Sequence, residues 1–209
     1  MFPVPDPPTR RLLHAAGHDV RHREVFHGPD AAATVERALA DVAGVERWII
    51  HAYVFVRDRF HLAFEASGAA PDPAAGLRLL LDLIAVRLND ARGRQRTGCD
   101  LVHHLRSIED RVAFATIVDH IHLEPVRAGV VAPAHLAAHG ASSLRQFLQH
   151  PRPGWLACGE LRRRHDLADS TAGWSTYLAR LMCAASTSTP AGLLFQPDAA
   201  PTEALLTKP

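Results

Sequence analysis

The chain has 209 residues, a formal net charge of +1 at neutral pH and 47% hydrophobic residues. This length suits one domain with an extension, or two small domains, and the hydrophobic content is ordinary for a globular protein. No apolar run is long enough to cross a membrane, and the N-terminal stretch lacks the apolar core of a signal peptide, so we expect a cytoplasmic protein. The small net charge does not by itself indicate nucleic-acid binding.

Cysteine and histidine usage gives little direct sign of a metal site. The three cysteines, Cys99, Cys158 and Cys183, are scattered and odd in number, which predicts free thiols rather than a disulfide framework or a zinc knuckle. The chain has 14 histidines. We expect seven of them to be ordinary surface residues, namely His14, His22, His27, His135, His139, His150 and His165.

Hydrophobic periodicity predicts strands alternating with helices. The predicted elements are, in chain order, a weak strand at 18–25, a helix at 30–43, strands at 46–56 and 60–65 joined as a hairpin, a helix at 73–91, a strand at 101–108, and a helix that starts with a Ser107–Asp110 capping box. This order predicts an α+β fold in which helices pack on one face of a sheet. We divide the chain into a flexible tail at 1–17, a main domain at 18–131, a helical extension at 132–183 and a disordered tail at 184–209.

The last helix of the main domain carries a polar pair. His120 and Glu124 are four residues apart, so they lie on one face of a helix, one turn from each other. Pro125 disfavours helical geometry at Glu124, and Gly129 permits a sharp turn, so we expect the helix to end near Leu123. Taken alone, the pair is consistent with an ordinary helical ion pair.

The run IHLEPVRAGVV, at 121–131, resembles a signature of the single-strand-specific tyrosine transposases, and of their REP-associated branch in particular. The family pattern reads Tyr-Ile-His-x-Asn-Pro-Val-Arg/Lys-Ala/His-Gly. Two positions differ: the family's nucleophilic Tyr falls on His120, and its polar residue near the metal falls on Glu124. The sequence is therefore similar to a degenerate member of this HUH-type family.

A second stretch, HAYVFVRDRFHLAF, resembles the family's His-Ala-Tyr-Val-x-Met-Pro-Asn-His-x-His-Leu. Its His-hydrophobic-His unit is the metal site of this nuclease class, because residues two apart in a strand share a face. Here Arg59 replaces the first imidazole and only His61 remains. The resemblance covers about residues 18–160 and implies a ferredoxin-like sheet with helices packed on one face, plus a helical C-terminal extension.

Family members cut single-stranded DNA beside hairpins with a Tyr nucleophile and a divalent metal. Neither tyrosine of this chain, Tyr53 or Tyr177, occupies the nucleophile position, and we interpret both as packing residues. We therefore expect a protein that recognises single-stranded or hairpin DNA without tyrosine-dependent cleavage. A homodimer is also an expectation of the resemblance. The residues expected to contact DNA are Arg59, Arg92, Arg94, Arg96 and Arg127.

Two alternatives remain open. In the first, His61, His120 and Glu124 form a rebuilt site for Mg²⁺ or Mn²⁺ that activates water, or His120 itself attacks phosphorus. In the second, DNA binding is lost and the sheet face is a surface for a protein partner. The distances among the three side chains distinguish the first alternative from the rest, because metal–ligand bonds are about 2 Å long.

Overall fold

The computed structural model describes residues 10–28, 30–67, 72–93, 101–149 and 151–187. Its strands and helices, in chain order, are β1 (Arg10–Asp19), α1 (Ala31–Glu46), β2 (Ile49–Val56), β3 (Arg59–Ser67), α2 (Pro73–Ala91), β4 (Leu101–Ser107), α3 (Arg111–Arg127), α4 (Ser143–Phe147), α5 (Gly159–His165) and α6 (Thr171–Thr187). The strands form one antiparallel sheet in the order β2-β3-β1-β4. This is the ferredoxin-like order, and it confirms the predicted α+β class.

Alternation along β3 explains how the sheet separates an apolar face from a polar one. Phe60, Leu62 and Phe64 are fully buried, whereas Arg59 and His61 on the other face are not. On the apolar face Trp48 packs on Phe64, with ring centroids 4.3 Å apart. Helix α2 approaches this tryptophan closely, because a Cβ at Gly76 would lie only 2.6 Å from Trp48. Helices α1 and α2 also contact each other.

Helix α3 lies against β2 and β3 on the polar face of the sheet. Its N-terminal half packs Phe114 edge-on against His51 of β2, with ring centroids 5.2 Å apart. Further along α3, His120 meets His61 of β3, with centroids 5.2 Å apart. The helix therefore brings the signature residues over the strand that carries the second motif.

The segment after α3 continues the structure beyond β2. Phe55 N–H donates to the carbonyl of Ala141 at 2.9 Å, and Ala157 N–H donates to the carbonyl of Ile50 at 2.8 Å. Trp174 and Phe147 stack at 4.8 Å, which joins α6 to α4 in the core. No helix among the described residues is both long and apolar enough to cross a membrane.

Three predicted boundaries were wrong. The first strand is β1 (Arg10–Asp19), not 18–25, so residues 10–17 belong to the sheet rather than to a flexible tail. Helix α3 is capped by Asp110, whose carboxylate accepts from Val112 N–H at 2.7 Å, rather than by Ser107. Of the predicted disordered tail, residues 184–187 belong to α6, and 188–209 lie outside the described residues.

Helix α3 also extends past its predicted end. It continues through Pro125 to Arg127, and Gly129 then turns the chain at φ +66°. Ala128 N–H still donates to Glu124 at 2.8 Å, and Val130 N–H donates to Pro125 at 2.9 Å. Proline inside a helix removes one donor and crowds the carbonyl four residues earlier, yet the buried Pro125 stays within α3. Glu124 consequently stays helical and in line with His120.

Candidate functional site

Three side chains from two elements meet above the sheet. His61 comes from β3, whereas His120 and Glu124 come from successive turns of α3. One possible ligand atom from each lies within 4.8 Å of the others. Within this trio, His120 Nε2 is 3.8 Å from Glu124 Oε2. The predicted juxtaposition of the three residues is therefore present, and we call them the His/Glu cluster.

His14 joins the cluster, although it was expected to be a surface residue. It lies on β1, is only 6% exposed, and its Nε2 is 3.3 Å from His61 Nδ1. The two rings stack with centroids 5.5 Å apart. The β1–β3 register pairs His14 with Ala63, two residues from His61 on the same face of the sheet. Sequence reasoning missed this residue because β1 is the inner strand beside β3 and lacks a clear alternation.

Burial determines the charge states of the cluster. Burial, reinforced by Arg127, lowers the pKa of His120 to about 4. Burial and the neighbouring histidines lower the pKa of His61 well below its ordinary value, and burial with His104 and His120 lowers that of His14 to about 4. Burial raises the pKa of Glu124, while Arg59 opposes that rise. The imidazoles are therefore neutral near pH 7.

Two arginines flank the cluster. Arg59 Nη1 lies 3.6 Å from Glu124 Oε1, and its Nε is 3.2 Å from Asp58 Oδ1. Arg127, one turn beyond Glu124, contacts His120 through the ring nitrogen Nδ1. Arg59 is 45% exposed, and Arg127 is exposed as well. Both guanidinium groups therefore face solvent beside a partly buried polar cluster, where an approaching phosphate would meet them.

Asp58 holds Arg59 in place. Its carboxylate contacts Arg59 on one oxygen and His22 Nδ1, at 2.8 Å, on the other. Burial alone would raise the pKa of Asp58, but the hydrogen bonds from His22 and Arg59 outweigh it and lower the pKa. The position of Arg59, which replaces the first imidazole of the family motif, is therefore supported by a second layer of contacts.

The donor set fits a divalent metal in part. Two imidazoles and a carboxylate suit Mn²⁺ better than Mg²⁺, which prefers oxygen ligands. His61 fits if its Nδ1 donates to His14 Nε2, because its own Nε2 then carries the lone pair that a ligand needs. His120 fits less well. Arginine only donates hydrogen bonds, so its contact with Nδ1 places the ring proton on Nε2, where a metal ligand needs a lone pair.

Of the other arginines expected to contact DNA, Arg92 has a different role. Its Nη2 donates to the carbonyl of Val25 at 2.9 Å and also to that of His27. Arg92 therefore ties the end of α2 to the segment that follows β1. Arg94 and Arg96 lie outside the described residues.

Neither tyrosine lies in the cluster. Tyr53 is fully buried and pairs with Leu62, so it faces the apolar side of the sheet. Tyr177 is also fully buried, and its hydroxyl donates to Asp119 Oδ1 at 2.7 Å. Burial raises the pKa of both phenols well above the ordinary value. Both residues have the packing positions that the sequence predicted, and neither presents a nucleophilic oxygen to the His/Glu cluster.

A buried polar network lies on the opposite side of α3. His122 is fully buried, with Nδ1 2.9 Å from Tyr177 Oη and Nε2 2.8 Å from Ser143 Oγ. Tyr53 N–H donates to the same Ser143 hydroxyl at 2.9 Å. Burial lowers the pKa of His122 to about 3, so its ring is neutral. The network ties α3 to β2, α4 and α6, which fixes the rotation of α3 and therefore the direction of His120 and Glu124.

Comparison with known proteins gives a structural likeness. No family model matches the sequence, and no curated protein matches it. The solved structure of a REP-associated tyrosine transposase bound to a REP hairpin aligns with a TM-score of 0.53 at 14% identity, over 77% of this chain and 93% of that one. The solved structure of a candidate transposase from Deinococcus radiodurans aligns with a TM-score of 0.43 at 16% identity, over 56% of this chain and 92% of that one. The first likeness shows that this chain has the fold of that transposase.

Proposed function

We propose that this chain is a transposase-like protein that binds single-stranded or hairpin DNA and does not cut it through a tyrosyl linkage. The observation that carries the proposal is the pair of exposed guanidinium groups, Arg59 and Arg127, held at the His/Glu cluster by Glu124 and His120. Guanidinium groups bind phosphate oxygens in bidentate geometry. The structural neighbour bound to a REP hairpin supports hairpin DNA as the class of ligand.

The positions of the two tyrosines support the proposal that the chain does not cut DNA through a tyrosyl linkage. Both are buried away from the cluster, and the family's nucleophile position is occupied by His120. A bound phosphate would meet the cations of Arg59 and Arg127 there and neither of the two tyrosyl hydroxyls. The homodimer suggested by the family resemblance stays a prediction.

Binding of a fluorescent hairpin oligonucleotide with an unpaired flank tests this function. We expect affinity to fall steeply between 50 and 200 mM salt, as it does for proteins that contact several phosphates. Arg59→Ala and Arg127→Ala should each weaken binding and lower the salt dependence, because each removes one phosphate contact. The matched control is Arg78→Ala on α2, an exposed arginine that pairs with Asp72 at 3.8 Å. No binding at low salt, or a covalent protein–DNA adduct on a denaturing gel, would contradict the proposal.

A second candidate function, metal-dependent hydrolysis of DNA, is favoured by the 4.8 Å grouping of His61, His120 and Glu124. These three residues would hold the ion, and His14 would orient His61 through the 3.3 Å contact. A bound divalent ion would polarise the phosphate and lower the pKa of a coordinated water. This function requires Arg127 to leave His120 Nδ1. The ring proton can then sit on Nδ1, and Nε2 has a lone pair for the metal.

Nicking of the same hairpin with Mn²⁺ tests this second function, together with direct measurement of Mn²⁺ binding. His61→Ala and Glu124→Ala should abolish both nicking and binding, whereas Arg78→Ala should change neither. If Mn²⁺ binds the wild-type protein and both variants equally, the His/Glu cluster is not a metal site.

A further inference from the structure

A cleft outside the His/Glu cluster opens beside the turn between β2 and β3. It has a volume of about 700 Å³ and is lined by the segment before α1, by Arg57 of the turn, and by the chain around His139 and Arg145. This volume falls within the range of about 300–1,000 Å³ that is typical of small-ligand sites. The apolar part of the lining comes from Phe26, Ala31, Ala32, Val130 and Ala141.

The cleft contains two arginines that are available to a ligand. Arg145 is exposed and makes no hydrogen bond or ion pair with any residue that the structure describes. Its Nη1 lies 3.2 Å from the point where a Cβ on Gly140 would stand, so the missing side chain at Gly140 leaves room for the guanidinium. Arg57 pairs with Glu24 at 3.7 Å, with 50% and 54% of the two side chains exposed. Such a solvated pair holds an arginine only weakly.

The other polar groups of the described lining are His27, His139 and Glu24. His139 Nε2 donates to the carbonyl of Phe55 at 2.9 Å, and burial lowers its pKa, so the ring is neutral near pH 7. Among the described lining residues Glu24 is the one carboxylate, against the two guanidinium groups of Arg57 and Arg145. The described lining therefore favours an anion.

The cleft and the His/Glu cluster share one turn. Arg57 lines the cleft, and Arg59, two residues later, contacts Glu124 of the cluster. Consecutive Cα atoms are about 3.8 Å apart, so the Cα atoms of these two arginines lie within about 8 Å of each other. Backbone bonds fix the turn: Phe26 N–H donates to Arg57 at 2.8 Å and Asp19 N–H donates to Asp58 at 2.7 Å.

The backbone at Arg57 sets the directions of the two arginines. Its φ of +48° lies in the left-handed region, as is common in the tight turn of a hairpin such as that between β2 and β3. The turn places Arg57 in the lining of the cleft while Arg59 contacts the cluster.

From these observations we propose that the cleft binds an unpaired nucleotide of the DNA strand held at the His/Glu cluster. Arg57 and Arg145 contact its phosphate, and the base lies on the apolar lining beside His27. Single-stranded nucleic acid is commonly bound in this way, by cations along the backbone and by ring or apolar surfaces under the bases. The inference rests on the proposed DNA-binding function and adds a second point of contact that selects unpaired flanks.

Arg145→Ala tests the inference, because this exposed side chain makes no described hydrogen bond or ion pair whose loss would disturb the fold. Fluorescence anisotropy would measure the binding of two hairpins with identical stems, one with a flank of three unpaired nucleotides and one blunt. We expect Arg145→Ala to weaken binding of the flanked hairpin about tenfold and that of the blunt hairpin less than twofold. Arg78→Ala, the control for the loss of one positive charge, should affect both hairpins equally and weakly.

The outcomes separate this inference from the proposed function. If the wild-type protein binds neither hairpin, DNA binding itself fails. If the wild-type protein binds both hairpins, and Arg145→Ala weakens binding of both equally or of neither, the proposed nucleotide site is wrong while DNA binding stands. A third hairpin with an abasic flank distinguishes the two parts of the contact. If Arg145→Ala also weakens binding of the abasic hairpin, the phosphate contact is supported. If the wild-type protein binds the abasic hairpin as tightly as the flanked one, the proposed contact between the base and the apolar lining is wrong.

Discussion

His14 Nε2 lies 3.3 Å from His61 Nδ1, and the two rings stack, although 47 residues separate them in the chain. One ring must donate and the other accept, so His14 selects the tautomer of His61. When His61 donates to His14 through Nδ1, its Nε2 keeps a lone pair for a ligand, and partners that hold a ligand in this way typically change metal affinity by about 10–100-fold.

We therefore predict that His14→Ala weakens Mn²⁺ binding by about tenfold or more, if the His/Glu cluster holds the ion. Isothermal titration at pH 7.5 would measure this. The control is His18→Ala, a residue of the same strand whose ring stacks on His22 at 5.6 Å. Equal affinities for wild type and His14→Ala would show that the histidine contact does not position His61.

Arg127 should oppose metal binding. Its contact with His120 Nδ1 leaves the proton on the nitrogen that a metal would need. Arg127→Gln replaces a pure donor by a group that also accepts, so Nδ1 can carry the proton. We predict that this variant binds Mn²⁺ more tightly than wild type, by about tenfold. Arg78→Gln is the control, and a loss of affinity in Arg127→Gln would contradict the assigned tautomer.

Acid should destabilise the fold through its buried imidazoles. His122 has a pKa of about 3 in the folded chain, against about 6.5 for an unperturbed histidine. Below pH 6.5 the unfolded chain therefore binds a proton that folded His122 does not, so stability is full above that pH and falls as the pH drops towards 3. The expected loss is about 1.4 kcal/mol per pH unit for each such histidine.

Urea unfolding at pH 7.5, 6, 5 and 4, without added metal, would measure this loss. His122→Gln should be less stable than wild type at pH 7.5 but should lose less stability per pH unit. A variant with the same pH dependence as wild type would mean that His122 is not the group that titrates.

The Tyr177 hydroxyl should contribute to stability through its two partners. Tyr177→Phe leaves the ring in place but removes the oxygen that contacts His122 and Asp119. A buried polar group left without its partner costs about 1–3 kcal/mol, so we predict a loss of that size in the free energy of urea unfolding. Thr176→Ala, at an exposed neighbouring position, should change stability by less than about 0.5 kcal/mol. A similarly small change in Tyr177→Phe would show that water replaces the hydroxyl.

The sequence predicted the parts of the fold that leave a local pattern. The β2–β3 hairpin was predicted because Phe60, Leu62 and Phe64 alternate with polar residues, and the turn between the strands has no apolar run. The contact of His61 with His120 and Glu124 followed from the resemblance of both motifs to one family. The hairpin prediction depended on spacing within single elements, whereas the contact between β3 and α3 depended on the resemblance of their two motifs.

The missed features depend on contacts between elements. His14 lies on an inner strand bonded on both edges, where burial removes the alternation that marks an edge strand. Pro125 lies inside α3 and is buried there, although local propensity predicts that the helix ends before it. The contact of Arg92 with the carbonyl of Val25 joins residues 67 positions apart, and no short pattern indicates it.

The hydrogen bond between His122 and Tyr177 makes α3 depend on a residue 55 positions further along the chain. A chain truncated before α6 would leave His122 Nδ1 without this partner, and of the two side-chain hydrogen bonds of His122 only the one with Ser143 would remain. Shortening the chain in α6 is therefore expected to loosen the direction in which α3 presents His120 and Glu124.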